Sequence, residues 1–224
     1  MGTESEGLAM DQPMNGGRER GPAGQHAPDR KKTKAQRASR RLRTALAVLL
    51  ATAGVAGCHA RTATADIGGP FHMQDQDGRP TDQSVLRGHW SAVFFGYTYC
   101  PDICPATLQT LGQASRKLGD RAKDLQVVFV SVDPARDTPQ TLKAYIAAQA
   151  LPMRTIGLTG SDAEVAAIAK AYRVYYAKAG TGREYSVDHS AVIYLMNPEG
   201  GFSAPISPTL SPDQMAQEIA KAEG

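Results

Sequence analysis

Residues 91–111 read SAVFFGYTYCPDICPATLQTL and join a short apolar run to a helix-like segment through a turn that carries two cysteines. The apolar run, Ala-Val-Phe-Phe at residues 92–95, has the β-branched and aromatic character that is typical of a strand buried on both faces. Pro105 fits the first turn of a helix, where its missing N–H removes no hydrogen bond. The segment therefore predicts a strand, a cysteine-bearing turn and a helix.

Cys100 and Cys104 lie where the predicted strand gives way to the N-terminus of the predicted helix. Unpaired N–H groups and partial positive charge at that end favour the thiolate, which is both a nucleophile and a metal ligand. Their spacing is one residue longer than the Cys-x-x-Cys of thioredoxin-type oxidoreductases, and a helical turn would place both sulfurs on one face. The pair can form a disulfide or bind one soft ion. Two buried structural cysteines are the plainer alternative.

The rest of the chain alternates strand and helix patterns around this segment. In chain order we expect a hairpin at residues 71–80, helices at 106–118, 139–150, 162–172 and 212–222, and strands at 125–132, 155–158, 190–196 and 202–206. Residues 174–187, around Gly-Thr-Gly at 180–182, suggest a further hairpin or a loop. Strand–helix repeats that end in an antiparallel hairpin and a last helix predict an α/β, thioredoxin-like fold. We expect a central mixed sheet flanked by helices, with an extra N-terminal β-hairpin.

Residues 1–57 differ in composition from the rest of the chain. They contain 10 Lys/Arg and 5 Asp/Glu, whereas residues 58–224 contain 15 and 17. The first 29 residues have almost no large apolar side chains, which predicts disorder. Since the basic excess belongs to this leader and no basic stripe follows it, we expect no nucleic-acid partner.

The leader ends in fourteen small and apolar residues, TALAVLLATAGVAG at 44–57, followed by Cys58. This run is short for a membrane span and right for the core of a signal peptide. Its end, Val-Ala-Gly-Cys, resembles the bacterial lipobox, in which the cysteine receives lipid and becomes the mature N-terminus. We therefore expect a leader at 1–57, a tether at 58–69 and a folded domain at 70–224. An ordinary secretion signal or an uncleaved anchor would likewise place that domain in the bacterial cell envelope, facing the periplasm.

His189 is the candidate for a third metal ligand. It stands in Asp188-His189-Ser190, directly before the predicted strand at 190–196, so we expect it to open a strand of the same sheet near the cysteine turn. Two thiolates and an imidazole suit copper, because thiolate selects Cu(I) and imidazole accepts both oxidation states. Asp188 either orients the imidazole or is simply exposed.

Three sequence patterns, C-P-D-x-C-P, V-D-P-x-R-D-T and D-H-S, occur here in one chain and resemble those of the Sco/SenC copper chaperones. The matching segments keep their order and cover most of residues 66–224: FFGYTYCPDICPATL at 94–108, VVFVSVDPARDTPQTLKAY at 127–145, GLTGSDAEVAAIAKAYRVYY at 157–176 and VDHSAVIYLMNPEG at 187–200.

The resemblance implies that Cys100, Cys104 and His189 bind copper, as Cu(I) or Cu(II). It also implies delivery of copper to the binuclear centre of cytochrome c oxidase subunit II, reduction of that centre's cysteines, or both. Other copper proteins and chaperones are further expected partners, and a lipid on Cys58 or an anchor would tether the protein to the membrane. The loop at residues 133–137 is expected either to border the site or to be purely structural.

Two other functions use the same cysteines. In a thiol–disulfide oxidoreductase, the more exposed Cys100 would attack a disulfide and Cys104 would resolve the mixed disulfide. His189 would then have no obvious role. A peroxidase of the peroxiredoxin type shares the fold class, but it would need a Pro-x-x-x-Thr-x-x-Cys setting and no third ligand.

Overall fold

The computed structural model describes residues 67–182 and 184–224. The leader, Cys58 and the first part of the tether lie outside the described residues, so their predicted roles and boundaries stay predictions. Within the described part of the chain, no helix is both long enough and apolar enough to cross a membrane.

Nine strands and four α-helices make up the described fold. In chain order they are β1 (His72–Asp75), β2 (Pro80–Asp82), β3 (Trp90–Gly96), α1 (Ile103–Leu118), β4 (Leu125–Ser131), α2 (Pro139–Gln149), β5 (Thr155–Thr159), α3 (Asp162–Ala171), β6 (Tyr176–Ala179), β7 (Ser186–His189), β8 (Ile193–Met196), β9 (Phe202–Ile206) and α4 (Pro212–Glu223). Two 3₁₀ turns, Gln83–Leu86 and Gly119–Asp124, complete the set.

Seven strands form one mixed sheet in the order β2-β1-β5-β4-β3-β8-β9. Strands β3, β4 and β5 are parallel, and the remaining pairs are antiparallel. Phe94 and Phe95 on β3 are fully buried although successive strand residues point to opposite faces, so both faces of the sheet centre are covered. The predicted α/β thioredoxin-like class, with its N-terminal β1–β2 hairpin, is confirmed.

The starts of α2, α3 and α4 follow the sequence signals closely, whereas α1 begins at Ile103 rather than at the expected residue 106. The Thr138 hydroxyl accepts a hydrogen bond from the Thr141 N–H, with Pro139 at the first helical position of α2. Ser161 and Ser211 each form a complete capping box, at α3 and α4 respectively. These caps satisfy backbone donors that a helix N-terminus otherwise leaves unpaired.

The prediction for residues 190–196 is wrong in one respect that matters for the site. Only Ile193–Met196 is a strand of the large sheet, and His189 instead ends β7 of a separate two-stranded sheet, β6–β7. The Ser190 N–H donates to the Tyr175 carbonyl, and the Ser190 hydroxyl accepts from the Tyr175 N–H. Ser190 therefore bonds across the base of this hairpin, and the chain joins the large sheet only three residues later.

Candidate metal centre

The cysteine turn lies at the carboxyl end of β3, in the middle of the large sheet. The Cys100 N–H donates to the Tyr97 carbonyl at 3.2 Å, which closes the turn. Cys104 lies in the first turn of α1, and its N–H donates to Cys100 Sγ at 3.4 Å. Cys100 is 8% exposed and Cys104 is fully buried, so the N-terminal cysteine is the more exposed of the two, as expected.

Gly96, the last residue of β3, makes room for the Cys104 side chain. A Cβ at this position would lie 2.8 Å from Cys104 Sγ and 2.9 Å from the Phe129 ring. These separations are too short for nonbonded atoms, so a glycine is needed where the strand passes beneath the sulfur. The sequence alone marks Gly96 only as the end of a strand.

His189 reaches the cysteines from the β6–β7 hairpin. Its Nε2 lies 3.7 Å from Cys104 Sγ, and its Nδ1 lies 3.1 Å from the Ser190 carbonyl oxygen. Because a carbonyl oxygen only accepts, Nδ1 is the donor of this bond, and Nε2 is the ring nitrogen that faces the sulfurs. Asp188 is exposed and is not the partner of Nδ1. Of the two expectations for this residue, simple exposure rather than orientation of the imidazole applies.

One ligand atom from each of Cys100, Cys104 and His189 lies within 4.8 Å of the others. The structure therefore brings together the three residues that the sequence predicts as a group. Two come from a strand-to-helix turn and the third from a separate hairpin. Both thiols are free. Two sulfurs and one imidazole nitrogen are soft and borderline donors that suit copper or zinc, and the two sulfurs alone suit reversible disulfide formation.

The two thiols have opposite acidities. The hydrogen bond from the Cys104 thiol does most to lower the pKa of Cys100, which falls to about 4 although burial opposes this. Donating that bond raises the pKa of Cys104 far above its ordinary value, and burial raises it further. The two shifts therefore favour a thiolate on Cys100 and a proton on Cys104.

The loop at residues 133–137 borders the cysteine turn, which decides between the two expectations for it. The buried Asp137 carboxylate accepts hydrogen bonds from the Thr98 N–H, from the Thr98 hydroxyl at 2.6 Å and from the Ser131 hydroxyl at 2.6 Å. Burial raises the pKa of Asp137, while these three bonds lower it. Asp137 thus holds the turn two residues before Cys100.

Sequence reasoning missed Thr98 and Ser131 as supports of the site. Both are small polar residues at or just beyond the ends of neighbouring parallel strands, β3 and β4. Because parallel strands bring their carboxyl ends to the same edge of a sheet, that position is the signal that could have identified them.

Comparison with known proteins relates the described fold to one family. Residues 59–223 match the sequence model of the family described as SCO1/SenC. The mitochondrial SCO1 homolog 1 of Arabidopsis thaliana is 44% identical over 140 residues, which cover 62% of this chain and 41% of that protein. The chain therefore spans less than half the length of this relative.

Solved structures give the same relationship. The structure of ScoI from Bradyrhizobium japonicum with copper bound is 39% identical, with a TM-score of 0.62, and the match covers 70% of this chain and 99% of that one. The structure of BsSco, described as having a disulfide switch and as a member of the Sco family of cytochrome c oxidase assembly proteins, is 26% identical, with a TM-score of 0.55. That match covers 71% of this chain and 93% of BsSco.

Proposed function

The chain belongs to the SCO1/SenC family, and we propose that it is a membrane-tethered copper chaperone that binds one copper ion through Cys100, Cys104 and His189. The observation that carries this proposal is the meeting of the three donor atoms within 4.8 Å. Copper in the related ScoI structure supports the choice of ion. A function that used the cysteines alone would leave the His189 imidazole beside them without a role.

Binding follows from the protonation state of the thiols. The low pKa of Cys100 favours its thiolate, whereas the raised pKa of Cys104 keeps a proton that must leave when the metal binds. Nε2 of His189 supplies the third donor, because Nδ1 is occupied by its bond to the Ser190 carbonyl. Since the ion binds deprotonated sulfur, copper uptake should release protons, and the Cys104 thiol supplies one of them.

Release proceeds by ligand exchange. Three protein ligands leave a coordination position open, so a thiolate of the acceptor can bind the ion before any ligand of the chaperone leaves. Cys104 is fully buried, whereas Cys100 and His189 are partly accessible. An incoming ligand therefore approaches from the side of Cys100 and His189, and Cys104 is the last ligand to dissociate from the ion.

The surroundings of the site support a protein as the acceptor. Tyr99 is 62% exposed, Ile103 is 38% exposed and Tyr175 is 66% exposed. Tyr99 and Ile103 adjoin the two cysteines in sequence, and Tyr175 is hydrogen-bonded to Ser190 beside His189. Exposed aromatic and aliphatic side chains grouped around a reactive site are typical of protein contact surfaces.

The acceptor we propose is the binuclear copper centre of cytochrome c oxidase subunit II. Support comes from the family and from the description of BsSco as a cytochrome c oxidase assembly protein. Cys58 in its lipobox-like setting supports a lipid tether that holds the domain on the periplasmic side of a bacterial membrane. An uncleaved signal segment would serve the same end.

A transfer experiment tests the delivery function. The reduced full chain is loaded with one equivalent of copper and mixed with the metal-free copper-binding domain of a subunit II whose cysteines are reduced. We expect copper to leave the chaperone and to be found on the subunit II domain after the two proteins are separated. A Cys104→Ser variant is the control, and it should transfer no more than free copper does. Equal transfer by both proteins would contradict the proposal.

A second candidate function is thiol–disulfide exchange, and the opposite acidities of the two thiols favour it. The Cys100 thiolate would attack a disulfide of the acceptor, form a mixed disulfide and expel one acceptor thiolate. Cys104, on losing its proton, would attack Cys100 Sγ and release the second acceptor thiolate. Two electrons pass to the acceptor, and the Cys100–Cys104 disulfide then needs an external dithiol reductant.

Metal-free kinetics separate this candidate from the first. The reduced protein is mixed with a subunit II domain whose two copper-binding cysteines form a disulfide, and acceptor thiols are counted over time. A reductase should work without copper, and His189→Ala should slow it only as far as the imidazole contact lowers the pKa of Cys100. A protein that does not reduce the acceptor without copper would contradict this second function.

A further inference from the structure

The β6–β7 hairpin that carries His189 is not part of the large sheet. In the described part of the chain, β6 and β7 pair only with each other, whereas β3 is paired on both sides, with β4 and β8. Strand pairing within the large sheet therefore positions the cysteine turn at the end of β3, but it does not position His189. Contacts outside the large sheet must hold the body of the hairpin in place.

Arg136 bridges to the hairpin with several contacts, in addition to the Phe94 and Tyr97 rings that lie against the His189 ring. Its guanidinium carbon lies 3.7 Å from the centre of the Tyr185 ring, and Nη1 donates to the Tyr185 carbonyl at 3.0 Å. Tyr185 immediately precedes β7, the strand that ends in His189. Arg136, in the loop after β4, thus contacts both the ring and the backbone of Tyr185 on the hairpin.

Asp133 completes this connection. Its fully buried carboxylate pairs with Arg136 Nε and accepts a hydrogen bond from the Tyr185 hydroxyl at 2.6 Å. The Arg136 side chain is only 16% exposed, so these polar contacts lie where water competes weakly. Asp133, Arg136 and Tyr185 therefore form a closed set of contacts, which we call the loop–hairpin clasp.

The same loop also holds the cysteines. Asp137, one residue after Arg136, accepts hydrogen bonds from the backbone and side chain of Thr98 in the cysteine turn. The Arg136 guanidinium also lies over the Tyr97 and Tyr99 rings of that turn, at 5.6 and 4.7 Å. A single short loop therefore contacts both segments that supply ligands.

We infer that Arg136 is a positioning residue of the metal centre, which fixes where His189 Nε2 lies relative to the two sulfurs by clasping the hairpin. This inference rests on the proposed function for the identity of the metal, but the geometry of the clasp does not. A ligand set needs its members held to within about half an ångström, and the hairpin has no strand pairing with the large sheet to provide that.

Arginine is required here rather than any cation. Its planar guanidinium can stack on an aromatic ring while its edge binds a carboxylate and a carbonyl, and the ammonium of lysine cannot do all three. Arg136→Lys should therefore not restore what Arg136→Met loses.

Copper binding by the full chain tests the inference. Loss of a group that supports a metal ligand typically lowers affinity about 10–100-fold, and we expect this of Arg136→Met in a competition titration against a chelator of known affinity. Its copper absorption spectrum should shift toward that of His189→Ala, while far-UV circular dichroism stays unchanged. Tyr185→Phe, which loses only the hydroxyl bond to Asp133, should show a smaller loss of affinity.

Lys178 offers a matched control. Its Nζ also lies over the Tyr185 ring, at 5.0 Å, but it belongs to the hairpin itself, and its ammonium makes no hydrogen bond or salt bridge to the other residues that the structure describes. Lys178→Met should keep wild-type affinity and spectrum. Equal losses in Lys178→Met and Arg136→Met would overturn the inference, as would wild-type copper binding by Arg136→Met.

Hydrogen exchange of the metal-free protein tests the clasp independently of copper. Arg136→Met should speed exchange of the β7 amides at least about tenfold and leave the β3 amides unchanged, because only the hairpin is released. Unchanged β7 exchange would overturn the positioning role even if copper bound well. If wild type bound no copper but Arg136→Met still loosened β7, the proposed function would fail while the clasp stood. Should Arg136→Met not fold, Tyr185→Phe must still speed β7 exchange for the inference to survive.

Discussion

The two halves of the metal centre are held in place by different kinds of interaction. Cys100 and Cys104 follow a central strand with partners on both sides, and their positions derive from backbone pairing and a close-packed core. His189 ends a strand outside that sheet and depends on a few polar and aromatic contacts. The comparison teaches that a rigid half can present the two sulfurs while a more lightly attached half supplies the proposed third ligand.

The largest expected effect on the free energy of unfolding comes from removing a buried side chain that supports β3 but does not contact the metal centre. Phe95 is fully buried and packs against Tyr172 and Tyr194, whereas its neighbour Phe94 faces the His189 ring. Phe95→Ala should lower the free energy of unfolding by about 3–5 kcal/mol, as is usual for a buried phenylalanine. Urea unfolding measures the loss. The fraction that remains folded should keep its copper spectrum, and a lost spectrum without a lost fold would contradict the division into halves.

A smaller effect on the free energy of unfolding is expected at Gly96, where β3 passes closest to the Cys104 sulfur. Gly96→Ala would place a methyl group 2.8 Å from Cys104 Sγ, so the sulfur or the strand must shift. Overpacking of this kind costs about 1–3 kcal/mol of the free energy of unfolding. Copper affinity should fall as well, since Cys104 Sγ is a proposed copper ligand.

A second glycine provides the control for this substitution. A Cβ at Gly201 meets only the Asn197 side chain, at 3.3 Å, so Gly201→Ala should cost less and leave copper binding intact. If Gly96→Ala matched Gly201→Ala in both measurements, the close approach at Gly96 would have no consequence for the site.

The half of the site that the large sheet positions was predictable from sequence, and the position of the half on the β6–β7 hairpin was not. Continuous apolar runs and helix caps predicted β3, β4 and the helix starts because these depend on local pattern and burial. The position of His189 on a separate hairpin was not predicted. It depends on the pairing of β6 with β7 and on contacts between Arg136 and Tyr185, which lie 49 residues apart in the chain. Nothing local to either residue encodes that contact.

The smallest expected effect concerns the residue that the sequence offered as a support for the imidazole. Asp188 is exposed, and the Ser190 carbonyl is the partner of His189 Nδ1. Asp188→Ala should change the free energy of unfolding by less than about 0.5 kcal/mol, as is usual for surface positions. Copper affinity and spectrum should stay at wild-type values. A clear loss of affinity would mean that Asp188, rather than the backbone, orients the ring when metal is bound.

The central claim is that the two halves meet in one three-ligand copper site, and one measurement tests it most directly. The reduced full chain is loaded with copper, and the bound copper per chain and the thiolate-to-copper absorption are recorded for wild type and His189→Ala, each with and without Cys58→Ser. We predict one tightly bound copper in wild type regardless of Cys58, and loss of its absorption in His189→Ala. Tight binding with an unchanged spectrum in His189→Ala would contradict the account.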